Sequence, residues 1–355
     1  MIENFIIFLV GLTLLVKGSD FFVESSSSIA EKFGVSKFVI GLTIVSVGTS
    51  LPELASSTTA SLNQANGIVI GNILGSNIAN ICLIVGCAAL ISSIKTETQM
   101  LKRDGYIMLF AALLFFILSL DNTISRIDSL IFLLLYTAYI IFLIDEARMH
   151  LSMKDSYFKE FISYFVKFKY LQSLKEKVDN GFNNFTDKNT DNRLELKDNY
   201  TLVKDILILV ISIGAVVIGA RYFIEESIFF AQALNVPDTL VGISLVAVGT
   251  SLPELMVTIS SAKKGYGHIA LGNVIGSNIT NIFLVFGVSG LLLPLDITQT
   301  DIFFITPFVI FVSLLLLLFI WTHWELKRLE GIILLIIYGI FMYVLFNFYN
   351  PVVGV

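Results

Sequence analysis

What the 355-residue chain has little of is charge: Asp, Glu, Lys and Arg make up 14% of it, against 55% hydrophobic residues. A soluble domain carries about a quarter charged residues, so the deficit excludes that class. Cysteine and histidine are scarce too, at two and three residues. Cys82 and Cys87 fall five apart in one apolar run, where burial in packing explains them better than a disulfide or a metal pair. His150, His268 and His323 lie in or beside connecting segments, and the apolar runs hold no nucleophile and base pair, so an intramembrane enzyme fits worst. The N-terminus MIENFIIFLVGLTLLVKGSD lacks a basic leading region and a small-residue cleavage site, and reads as a retained span instead of a removed signal peptide.

What is present is apolar length. Ten stretches are long enough to cross a bilayer: 5–23, 39–60, 68–91, 106–120, 130–144, 206–224, 240–262, 269–293, 302–322 and 331–348. With the N-terminus outside, alternate connections collect 20 of the 23 basic residues. These include Lys32, Lys37, Lys95, Lys102, Arg103, Lys263, Lys264, Lys327, Arg328 and eleven between 148 and 204. The positive-inside rule then places both termini outside and the long central segment in the cytosol, in a multi-pass protein of the plasma or inner membrane.

Sliding the sequence along itself gives one dominant offset, 201 residues, which holds without insertion from about residue 18 to 86. GLTIVSVGTSLPEL at 41 matches GISLVAVGTSLPEL at 242, and GNILGSNIANICLIVG at 71 matches GNVIGSNITNIFLVFG at 272. The expected architecture is an all-α membrane protein of ten transmembrane helices: a first repeat at 1–144 with its motif at 41–86, a cytosolic loop at 145–205, and a second repeat at 206–355 with its motif at 242–287. Five spans per half, an odd number, would flip the second copy, giving the inverted-topology repeats recurrent among transporters.

Within GTSLPEL, Thr49, Ser50 and Glu53 share a helical face, and Thr250, Ser251 and Glu254 repeat them. Pro52 lacks an N–H and obstructs the carbonyl of Gly48, so a kink that frees carbonyls is expected, and Pro253 repeats it. In the next span Asn72, Ser76 and Asn80 form one stripe, mirrored by Asn273, Ser277 and Asn281, while Asn77 and Asn278 fall off it and read as structural. Carboxylates, hydroxyls, amide oxygens and freed carbonyls are hard ligands that suit calcium and sodium, and no His or Cys joins them to favour zinc or copper. Ser, Thr and Asn also glue membrane helices together, and GNILG and GNVIG let backbones approach. The glutamates decide for a binding site, because a buried acid costs roughly 2.5 to 3.5 kcal/mol on insertion scales. Lys17 and Arg221 do not match each other by the repeat, so no symmetric salt bridge answers for the acids.

The paired GTSLPE and GNxxGSNxxN segments resemble the two alpha repeats of the sodium/calcium exchangers, within the cation/calcium exchanger superfamily. The resemblance covers nearly the whole chain except the central loop. It implies ten helices, with Glu53 and Glu254 as main cation ligands and Thr49, Ser50, Thr250, Ser251, Ser76, Ser277 and Asn80 around them. It also implicates the carbonyls of Ser46 and Ala247. Asn281 stands where archaeal and potassium-dependent members often carry Asp, which leaves two carboxylates in the core and weakens the case for potassium co-transport.

The function expected is therefore sodium/calcium antiport by alternating access, without catalysis or a cofactor, with Na+ and Ca2+ as cargo, the bilayer as surroundings, no nucleic acid, and a monomer as transport unit. Proton-coupled, other-divalent and potassium-dependent exchange are the alternatives within the class, and a cation channel the alternative outside it. In the central loop, Phe158, Phe161, Phe165 and Phe168 beside Lys159, Lys167 and Lys169 suggest an amphipathic helix on the cytosolic leaflet, with a plain solvated helix as alternative. DKNTDNRLELKD at 187–198 resembles a degenerate calcium loop; Asn192 replaces its glycine and Asp198 its glutamate, so a polar linker is the favoured reading.

Overall fold

The computed structural model describes residues 2–33, 37–96, 98, 100–149, 157–171, 173, 195–233 and 249–349. Apolar runs that cannot leave backbone groups unpaired in lipid become helices. These are α1 (Ile2–Phe33), α2 (Phe38–Thr49), α3 (Leu51–Leu62), α4 (Asn66–Ile91), α5 (Met100–Asp121) and α6 (Arg126–Met149), followed by the loop helix α7 (Tyr157–Val166). The second half holds α8 (Glu195–Ala233), α9 (Leu252–Lys263), α10 (Gly267–Leu292), α11 (Asp301–Thr322) and α12 (Arg328–Tyr349). Among the described residues, eight helices are long and apolar enough to span a bilayer, and α2 with α3, bent 44° at Ser50, makes a ninth if the bent pair is one span. The stretch expected at 240–262 is described only from Gly249 onward.

The observed helices overrun the apolar stretches at several ends. α1 runs about 48 Å at 1.5 Å per residue, far beyond the predicted 5–23, because Ser25, Ser26 and Ser27 are buried against neighbours instead of ending the helix. The all-α expectation also needs a small correction. Strands β1 (Ile94–Lys95), β2 (Thr123–Ile124), β3 (Leu295–Asp296) and β4 (Glu325–Leu326) satisfy the backbones of four short connections. They form two antiparallel pairs, β1 with β4 and β2 with β3, so each pair ties one half of the chain to the other.

Two kinds of packing organise the helices. At the centre, α4 and α10 are the most enclosed spans, and α10 lies against α2 through glycine: a Cβ on Gly276 would stand 2.7 Å from both the Leu42 carbonyl and Ser46 Oγ. At the edge, α1 and α8 run side by side, and a Cβ on Gly219 would stand 2.5 Å from the Leu15 amide and 2.8 Å from the Gly11 carbonyl. Helices in lipid lack a hydrophobic drive to associate, so backbone contact through small residues takes its place.

On the loop side, α7 packs on protein and not merely on lipid or water. Phe161 is fully buried, edge-on to Tyr139 and Phe142 at 6.2 and 5.8 Å, and Phe158 meets Tyr106 and Phe110. The Tyr164 hydroxyl donates to Asp145, while Val166 and Phe168 stay exposed. Aromatic side chains at the ends of α5 and α6 offer α7 a surface that composition alone did not reveal. Beneath it Arg103, which reads as a loop residue, is buried and grips Asp104 through Nε at 3.0 and 2.9 Å, with the Tyr139 hydroxyl donating to Asp104 Oδ1 at 3.1 Å. The calcium-loop resemblance at 187–198 lies outside the described residues up to 194.

Candidate cation-binding site

The bend begins where the sequence predicts it. Ser50 leaves helical geometry at φ −83°, ψ 6°, and Pro52 opens α3, where a residue without an N–H costs nothing. Ser251 at φ −90°, ψ 8° and Pro253 at the start of α9 repeat the arrangement. Glu53 and Glu254 thereby fall in the first turn of a half-helix, whose free N–H groups and dipole favour an anion. Both are 1% exposed, and neither joins an ion pair among the described residues.

The contacts around them come in reciprocal pairs at the offset of 201. Ser50 Oγ donates to Glu254 Oε1 at 3.3 Å, and Ser251 Oγ donates to Glu53 Oε1 at 3.4 Å. Thr49 Oγ1 donates to Asn273 Oδ1 at 3.1 Å, and Thr250 Oγ1 to Asn72 Oδ1 at 3.2 Å. Asn80 Nδ2 donates to Asn278 Oδ1 at 3.1 Å, and Asn281 Nδ2 to Asn77 Oδ1 at 3.0 Å. Each bond crosses from one half of the chain to the other, and each has a partner with the halves exchanged. That is the pattern of a pseudo-two-fold contact, in which i meets j and j meets i.

The residues expected at the site are thus brought together. Ser76 Oγ stands 3.1 Å from Ser251 Oγ, and Ser277 is fully buried. The Ser46 carbonyl is engaged rather than free: it accepts the Ser50 amide at 3.0 Å and lies 3.3 Å from Thr49 Oγ1. Ala247 lies outside the described residues. Sequence reasoning missed Ser57 and Thr258. They accept the Asn72 and Asn273 amides at 2.9 and 3.0 Å and aim those side chains at the other half's threonine. Their signal was available, since each follows its glutamate by four residues on the same face.

What the arrangement leaves over is acceptor capacity. Glu53 Oε2, Glu254 Oε2, Asn80 Oδ1, Asn281 Oδ1 and Ser277 Oγ are buried with no hydrogen-bond partner among the described residues. Buried polar atoms are paired in the great majority of cases, so these five oxygens, all on the repeated motifs, need an explanation. The two amides begin local π-helical turns, Ala79–Ile84 containing Asn80 and Asn281–Val285, a distortion that often marks functional sites. Two carboxyl groups beside hydroxyl and amide oxygens are the kind of hard ligands that a hard cation requires.

Comparison with known proteins bears on the family. A family described as sodium/calcium exchanger protein matches residues 3–144 and 204–347. The sodium/calcium exchanger MaX1 of Methanosarcina acetivorans is 57% identical over 347 residues, 97% of this chain and 98% of that protein. The uncharacterized membrane protein MJ0091 of Methanocaldococcus jannaschii is 35% identical over 93% of this chain and 94% of its own. Among solved structures, the sodium-calcium exchanger NCX_Mj soaked with 100 mM Na+ and 10 mM Sr2+ superposes with a TM-score of 0.74 at 32% identity, over 96% of this chain and 97% of that one.

Proposed function

The chain belongs to the sodium/calcium exchanger family, and from that membership we propose that it is a secondary active antiporter exchanging Na+ for Ca2+ by alternating access to the central oxygens. The observation that carries the reading is the pair of buried glutamates, each holding one carboxylate oxygen without a hydrogen-bond partner among the described residues. Two carboxylates balance one Ca2+ or about two Na+, and the amide of Asn281 keeps the count at two. Glu53 and Glu254 are the principal ligands, with Thr49, Ser50, Ser76, Asn80, Thr250, Ser251, Ser277 and Asn281 around them and the carbonyls of Ser46 and Ala247 as further candidates.

Exchange follows from the shared ligands: Na+ and Ca2+ compete for the same two carboxylates, so neither crosses together with a full load of the other, and an inward sodium gradient drives calcium out.

Ten spans in two inverted five-helix repeats complete the proposal, and the strand pairs support the inversion. By the offset of 201, β1 and β3 are equivalent segments. β1 and β2 are separated by the single span α5, so they lie on opposite faces, and β3 is hydrogen-bonded to β2. Equivalent segments on opposite faces are what an upside-down second repeat would give. The connection holding Lys263 and Lys264 falls on the β1 side, where a Cβ on Gly267 would stand 3.1 Å from Ile94 Cγ2. That basic face is assigned to the cytosol, with both termini outside a plasma or inner membrane, the boundaries 1–144, 145–205 and 206–355, and one chain as the transport unit.

The test is calcium-45 uptake into sodium-loaded proteoliposomes diluted into sodium-free buffer, beside potassium-loaded and pH-jump controls. Uptake that needs internal sodium is expected. Uptake driven equally by a pH gradient, or needing no counter-ion, would replace the function with proton antiport or a leak.

A further inference from the structure

We propose that Asn77 and Asn278 are positioning residues, which hold the amide oxygens of Asn281 and Asn80 toward the cation; the proposal rests on the exchanger reading of the central oxygens. A side-chain amide has two ends of nearly equal shape and opposite polarity. Only the oxygen end can serve a cation, and a flipped amide would present two N–H donors to it. Something must therefore fix the orientation of each ligand amide.

The structure offers one device for both. Asn281 Nδ2 donates to Asn77 Oδ1 at 3.0 Å and Asn80 Nδ2 donates to Asn278 Oδ1 at 3.1 Å, and in each case the remaining Oδ1 is the buried, unpartnered atom. Asn77 and Asn278 are themselves 1% exposed, so water cannot substitute for them. Each half of the chain thus orients the ligand of the other half.

The two orienting residues are not anchored alike. Asn77 Nδ2 donates to the Asn278 backbone carbonyl at 3.4 Å, whereas Asn278 Nδ2 reaches only the Met108 sulfur at 3.6 Å. A thioether is a weak acceptor, so the Asn77 arm is the more firmly held and its loss is the more costly. An ordinary interhelical hydrogen bond, by contrast, would stabilise the fold without acting through one particular ligand.

A double-mutant cycle on Ca2+ binding separates these roles, read by calorimetry on the purified full-length chain in detergent. Asn77→Leu, which keeps the shape and removes the acceptor, weakens Ca2+ binding by about tenfold, the worth of one hydrogen bond. Asn281→Ala also weakens it, and adding Asn77→Leu to Asn281→Ala costs no more than about twofold further, because the residue to be oriented is already gone. Fully additive losses, or a lowered melting temperature with unchanged Ca2+ affinity, would overturn the proposal. If Asn77→Leu does not fold, the same cycle on Asn278 and Asn80 decides, with a smaller expected first loss. A wild-type protein whose bound Ca2+ is not displaced by Na+ would instead count against the exchanger reading, and the cycle would remain interpretable.

Discussion

The centre of the molecule and its two membrane faces treat the repeat differently. At the centre, Ser50 with Glu254 answers Ser251 with Glu53 and Thr49 with Asn273 answers Thr250 with Asn72, although Ser251 also meets Ser76 while Ser277 Oγ has no such partner among the described residues. At the faces the equivalence breaks. On the basic face Lys264 reaches from the end of α9 to α1, donating to the Asp20 carbonyl at 2.7 Å and to Glu24 Oε1 at 2.9 Å, while Ser260 Oγ donates to Asp20 Oδ1. The residues 201 positions away do something else: Asn63 bonds the Thr59 carbonyl of its own helix, and Arg221 pairs with Glu225 along α8. A symmetric centre lets a cation meet the same ligands from either side.

The comparison breaks most severely at the centre. Glu53→Gln or Glu254→Gln should reduce calcium-45 uptake by about a hundredfold or more, the scale of losing one partner of a buried charge interaction, with the purified protein still monodisperse. Retained exchange in either variant would sink the site assignment. Acid attacks both glutamates together, since the carboxylate is the ligand form: exchange falls as pH falls, and added Ca2+ should move that fall to lower pH. A loss of exchange whose pH does not respond to Ca2+ would place the titrating group elsewhere.

Packing beside the centre comes next. Gly276→Val would drive a Cβ to within 2.7 Å of the Leu42 carbonyl and Ser46 Oγ, so α2 must move off α10. Overpacking of this kind costs about 1 to 3 kcal/mol, measured as a lower midpoint of thermal unfolding together with weakened transport. An unchanged midpoint would mean that the two helices do not touch there.

The faces should give smaller effects that sharpen the contrast. Lys264→Gln removes a half-exposed tie worth at most about 1 kcal/mol, so apparent Ca2+ affinity measured from the face that carries Lys264 should change by no more than about fivefold, with affinity from the other side moving oppositely. Equal shifts on both sides would point to the binding site instead of to access. Smallest of all, Tyr164→Phe cuts the bond from α7 to Asp145 and should leave exchange unchanged while making α7 more readily cleaved by protease.

The centre was legible in the sequence because duplication writes it twice. A glutamate after a proline in an apolar run is odd once and persuasive when repeated at one offset, and the kink at Ser50 needed only the chemistry of Pro52. Asn77 and Asn278 escaped because their partners lie across the molecule, 204 and 198 residues away, and helical spacing reports only neighbours on one helix. The docking of α7 and the burial of Arg103 escaped for a related reason: amphipathic and charged residues announce that they need a partner, without saying whether it is lipid, water or protein.

The exchanged strands carry a last implication, about ancestry. β1 closes on β4 and β2 on β3, so each half completes the other on both faces, as each serine completes the other half's glutamate. Given inverted repeats, a half-length forebear could have built such a site only by pairing with a second copy inserted the other way up. Joining two such copies in one chain would turn an encounter between two polypeptides into a fixed stoichiometry and free the outer segments of each copy to diverge.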